Sequence, residues 1–150
     1  MTKIEALEFL KSFINRIDTQ DNRGTAKPIQ YLLQVKRYMV VDGDYDYDKI
    51  LYYHSDMPGI AKDTKEEAIE YLKEYGYTDK ELIEEIKAIT EVYIKYYWNT
   101  KQAFLTEEGF NKHIELNEHN LGEYRSYVVH SFRDPEMLNL INSIRVVCDE

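Results

Sequence analysis

Between Phe104 and Arg145 the hydrophobic period changes twice, and this stretch constrains the fold more than any other in the chain. Thr106 precedes two glutamates, and its hydroxyl can accept from an unpaired N–H of a first helical turn. Phe110 and Ile114 then fall four apart on one face, before Asn117 and His119-Asn120-Leu121 end the run. Tyr124 to Phe132 alternates as a strand does. Asp134-Pro135-Glu136 opens a last helix with a capping aspartate, a proline at the first helical position and an acid in the first turn. The stretch therefore predicts helix, strand, helix.

The rest of the chain can be read by the same signals. Residues 2–17 form a helix with a capping box at Thr2 and Glu5 and a stripe of Ile4, Leu7, Leu10, Phe13, Ile14 and Ile17. Turn formers follow. From Pro28 to Val41 the period is two, with Ile29, Tyr31, Leu33, Val35, Met39 and Val41 on one face and Arg37 the exception. Residues 42–48, DGDYDYD, read as a turn, and Lys49–His54 as the returning strand of a hairpin; residues 55–63 are a connection. Thr64 with Glu67 and Thr78 with Glu81 start two helices, the first ended by Gly76. Their inward stripes are Ala68, Ile69, Leu72 and Tyr75, then Leu82, Ile83, Ile86 and Ile89. Val92 to Trp98 alternates as a strand, resumed at Ala103–Leu105 after a break near Asn99-Thr100. With 150 residues and no repeat or linker, one α+β domain is expected over 1–150. Its sheet should be mostly antiparallel, of about four strands, with helices packed on it.

Composition narrows the function classes. The chain is 43% hydrophobic, enough for a core, and no apolar run approaches a membrane span. The N-terminal helix carries Glu5 and Glu8, unlike a secretory signal. Cys148 is the only cysteine, so no internal disulfide or thiolate metal site forms, and a cytoplasmic setting is expected. The net charge is −9; residues 1–40 hold seven Lys/Arg against four acids, or +3, which leaves −12 on residues 41–150. Such a surface repels phosphates and anionic lipid, so direct nucleic-acid binding and membrane binding are not expected. A basic protein partner suits it.

Four aspartates, Asp42, Asp44, Asp46 and Asp48, first suggest calcium. Counted from Asp42, an EF-hand loop would place glycine at Tyr47 and glutamate at Tyr53; counted from Asp44, at Lys49 and Ser55, so the motif fails. In an extended loop these carboxylates would face one way at about 6.6–7 Å, close to phosphate spacing. With Tyr45 and Tyr47 they make a partner-binding surface that imitates nucleic acid. His113 and His119 are six apart and share no helical face, so no metal site is read, and no cofactor is implied. Arg125, Arg133 and the start of the Pro135 helix form the best anion site, with His119 and Asn120 as further ligand-binding residues, although Asp134 and Glu136 compete for the helix end. Ser126 and Ser131 lack a nucleophile elbow, there is no glycine-rich phosphate loop, and no catalytic residue is assigned. Of the fourteen tyrosines, Tyr45, Tyr47, Tyr52, Tyr53, Tyr93, Tyr96 and Tyr97 cluster on the expected sheet, where they suit sheet packing and interfaces and allow a homodimer.

Thr25-Ala26-Lys27-Pro28, Phe104-Leu105-Thr106-Glu107-Glu108-Gly109, His113-Ile114, Asn117, His119-Asn120-Leu121, Tyr124-Arg125-Ser126-Tyr127 and Arg133-Asp134-Pro135-Glu136 together resemble a family of small bacteriophage and prophage accessory proteins. These carry an early TAxP segment and a late FTExG…NxHNL…RxPE block. The resemblance covers roughly residues 24–41 and 102–145 and leaves the middle unmatched. It implies origin in a phage or mobile element, whose accessory genes often encode small proteins that disable host defences such as CRISPR or restriction enzymes. The first expectation is therefore a non-enzymatic inhibitor in the host bacterial cytoplasm, binding a basic, nucleic-acid-binding defence protein. The alternative is a small-ligand binder that sequesters a nucleotide.

Overall fold

A computed structural model of the chain describes residues 1–57 and 61–149. Helices are α1 (Lys3–Thr19), α2 (Lys65–Glu74), α3 (Asp79–Lys87), α4 (Glu107–Asn117) and α5 (Pro135–Asp149). Strands are β1 (Ile29–Val41), β2 (Lys49–His54), β3 (Ala61–Lys62), β4 (Ile89–Phe104) and β5 (Tyr124–His130). The fold is α+β, and the strands form one mostly antiparallel sheet in the order β3-β2-β4-β1-β5.

The helix starts follow the cap chemistry. Thr2 and Thr78 close reciprocal capping boxes with Glu5 and Glu81. Thr64 and Thr106 accept from the N–H groups of Glu67 and Gly109, and Asp134 Oδ1 accepts from those of Glu136 and Met137. Each satisfies backbone donors that a first turn leaves without a partner. Gly76 and Gly122 take positive φ, as the helix-ending turns require.

The sheet departs from expectation in three ways. Lys49–His54 is a strand, but it does not return beside β1: β4 lies between them, so residues 42–48 carry the chain across β4. β4 runs unbroken through Asn99-Thr100 and takes Ile89 out of the helical stripe, α3 having ended at Lys87. Its Val, Ile, Thr and aromatic content favours extended backbone throughout. Finally, a short fifth strand, β3, occupies the end of the expected connection; residues 58–60 of that connection lie outside the described residues.

The chain gathers into two compact units, residues 1–36 with 98–150 and residues 37–97. In the first, Ile29, Tyr31 and Leu33 of β1 pack with Phe110 of α4, and Phe104, Ile114, Tyr124 and Val128 close around them. The Phe104 and Phe110 rings meet edge to face at 5.7 Å. α1 packs on α5, each with one buried residue, Ile17 and Ile141. In the second unit Ala68 and Leu72 of α2 are fully buried against Tyr52, Leu82, Ile86 and Ile89. Ile4, Met39, Tyr75 and Ile83, each on an expected inward stripe, are exposed instead. Ile4, Tyr75 and Met39 stand at or near element ends.

Candidate functional site

The acidic loop lies wholly in the second unit. A Cβ at Gly43 would stand 2.8 Å from a ring carbon of Tyr93, so only glycine lets the backbone pass that close to the ring. Tyr47 packs edge-on against the same ring at 4.9 Å. The Asp48 N–H donates to the Ile94 carbonyl at 2.9 Å, and its carboxylate accepts from the Tyr96 N–H at 2.7 Å. Lys95 Nζ lies 2.7 Å from Asp46 and 3.6 Å from Asp48, and these two carboxylates, the nearer first, hold its pKa above the ordinary lysine value. The loop is therefore pinned to β4.

That pinning sorts the six loop residues expected to bind a partner. Asp46, Tyr47 and Asp48 hold the crossing, although the Asp46 side chain stays 90% exposed. Asp42, Asp44 and Tyr45 are exposed, Tyr45 to 71%, and neither aspartate has an ion pair among the described residues. The loop is not extended. It turns at residues 43–44, where the Tyr45 N–H donates to the Asp42 carbonyl, so the four carboxylates do not form an even row at phosphate spacing.

Charge follows the same division. Residues 37–97 hold eight Lys/Arg and fifteen Asp/Glu, a net −7, whereas residues 1–36 with 98–150 hold eleven and thirteen, a net −2. Glu67, Glu70 and Glu74 of α2 line one surface hollow beside Lys62 and Tyr71. A separate groove of about 390 Å³ in this unit is walled by Tyr38, Leu51, Tyr53, Val92 and Ile94. Leu51 and Tyr53 alternate with Tyr52 and His54, so the groove faces away from α2 and α3.

The residues expected to bind a small ligand do not converge. Arg125 lies near the start of β5 and Arg133 beyond its end, about 16 Å or more along the chain direction. His119 and Asn120 sit in a short 3-10 turn and bond to each other at 2.7 Å. Arg133 stacks on Phe132, and the α5 start is capped by Asp134. Of this set, only Arg125 stands in a built environment.

Around Arg125 the structure assembles residues that sequence reasoning missed. Gln34 pairs with Arg125 in the β1–β5 ladder, and Arg125 Nε donates to Gln34 Oε1 at 2.8 Å. Gln34 in turn donates to the Thr100 hydroxyl at 3.2 Å. The guanidinium lies 4.4 Å from the Trp98 ring centroid and 5.4 Å from that of Tyr127. The available signal was strand alternation: Arg125 and Tyr127 are two apart on β5, as Trp98 and Thr100 are on β4. The pairing of distant strands was not visible.

A buried histidine with a half-buried glutamate beside it also escaped the sequence. His54 is fully buried, with the Asp56 N–H donating to Nδ1 at 3.2 Å, which places the ring proton on Nε2. Nε2 stands 2.7 Å from Glu85 Oε2, close but off the direction of a well-aligned hydrogen bond. The ring is fully buried beside Glu85 of α3.

No family model matches the chain, and no curated protein or solved structure matches it. The geometry defines an α+β protein with an acidic, tyrosine-bearing loop on one unit and an aromatic-flanked arginine on the other.

Proposed function

We propose that this chain is a binding protein of phage or mobile-element origin that inhibits a basic, nucleic-acid-binding host defence protein. The observation that carries the reading is the concentration of acid: fifteen of 28 carboxylates fall in residues 37–97, where Asp42, Asp44 and Tyr45 stand exposed on a loop held by Lys95 and Tyr93. A rigid acidic loop loses little entropy on docking, and exposed tyrosine adds apolar area with a polar tip. The recognition is of an acidic protein surface rather than of a row of phosphate mimics. Electrostatic attraction would speed encounter and displace nucleic acid from the partner's basic groove.

The test is capture from nuclease-treated bacterial lysate by tagged wild type and by D42K/D44K/Y45A. These three positions leave the Lys95 and Tyr93 contacts in place. A nucleic-acid-binding partner that is held by the wild type, released as salt rises and lost with the variant supports the reading. Equal capture by the variant, or no nucleic-acid-binding protein among those held, overturns it.

A further inference from the structure

The Arg125 cluster belongs to the other unit and needs none of the preceding proposal. Arg125 is exposed, yet its orientation is fixed. Nε is committed to Gln34, and two aromatic rings flank the guanidinium at 4.4 and 5.4 Å. Its two terminal nitrogens have no hydrogen-bond or ion-pair partner among the described residues, in a chain where carboxylates outnumber cations 28 to 19. The nearby Glu123 is neutralised by Lys36 Nζ at 2.9 Å and leaves Arg125 alone. Thr100 accepts from Gln34, so its own hydroxyl proton is available to a ligand. Tyr127 is 48% exposed, and the guanidinium lies over one face of its ring, so a ligand ring stacks on the opposite face.

A fork of free N–H donors fixed in place suits a dianionic oxygen cluster, and an exposed aromatic beside it suits a planar ring. We propose that Arg125, Thr100 and Tyr127 bind a nucleoside monophosphate, its phosphate on the Arg125 terminal nitrogens and the Thr100 hydroxyl, its base stacked on Tyr127. One anchoring cation matches one phosphate. A single strand of nucleic acid would need a track of cations, and the chain's net −9 opposes it. The occupant is therefore the free mononucleotide.

Trp98 is the only tryptophan in the chain, and Arg125 lies over its ring, so its fluorescence reports this site directly. AMP, GMP, CMP and UMP would be titrated against the intact protein, with adenosine, inorganic phosphate and a single-stranded oligonucleotide as comparisons. Nitrogen-resolved NMR would follow the Trp98 indole and Arg125 Nε signals. The expected result is a saturable change with at least one monophosphate, and affinity for adenosine or phosphate alone lower by roughly tenfold or more. R125A should abolish it, R125K should weaken it by roughly tenfold by losing the planar fork, and Y127L should weaken it while circular dichroism stays unchanged. No saturable change, equal response to adenosine, persistence in R125A, or tighter binding of the oligonucleotide would each overturn the assignment. Because the binding readouts, Trp98 and Arg125 Nε, belong to the other unit from the acidic loop, failure here leaves the acidic-loop reading untouched, and the converse holds.

Discussion

Glu108 is placed between two cations, 2.7 Å from Lys112 Nζ and 2.6 Å from Arg16 Nη1. Hydrogen bonds from Lys112 and then Arg16 lower its pKa from 4.5 to about 2. The folded value is the depressed one, so the carboxylate contributes stability above the unfolded value, and that contribution is lost as pH falls from about 4.5 to about 2. Thermal unfolding of wild type and E108Q should therefore differ near neutral pH, wild type being more stable, and the two curves should converge at the acid end of that window. A constant gap across the window would mean that the carboxylate's charge contributes nothing. Lys112 is one helical turn from Glu108 and could be paired with it from the sequence; Arg16, 92 residues away, could not.

At the scale of elements, what the sequence made legible was local. Caps at Thr2, Thr78, Thr106 and Asp134 are short-range hydrogen bonds, and their residue types name them in advance. The alternation of Ile29, Tyr31, Leu33 and Val35 likewise identified a buried strand face. Strand pairing is non-local, and there the reading failed. An Asp-Gly pair between two strands suggests a hairpin, yet β4 takes the place beside β1. The glycine is required for a different reason: the loop passes against the Tyr93 ring, at 2.8 Å from the position of a Cβ. Gly43→Val should therefore crowd that ring and cost about 1–3 kcal/mol in denaturant unfolding. Shortening the ring with Tyr93→Leu in the same chain should recover part of the loss. If Gly43→Val is neutral, or if Tyr93→Leu adds its full cost to it, the crossing is not packed as described.

At the scale of the molecule, the same loop shows why the partner-binding residues were only half legible. Sequence shows four aspartates of one kind; structure divides them. Asp48 accepts from the Tyr96 N–H and, with Asp46, pairs with Lys95, whereas Asp42 and Asp44 have no ion pair among the described residues. That division predicts opposite responses. Residues 37–97 carry a net −7, and like charges at this density repel one another in the folded state. D42N/D44N relieves repulsion without removing a partner, so its melting temperature should equal or exceed that of wild type at low salt. The advantage should fade as added salt screens the charge over about 8–10 Å. Asp48→Asn removes a charge-assisted hydrogen bond and an ion pair, so it should melt a few degrees lower and keep most of that deficit in salt. Melting curves at low and high salt decide between these outcomes. Should both variants shift alike, the four aspartates act as one diffuse charge, and the assignment of Asp42 and Asp44 to partner binding loses its structural basis.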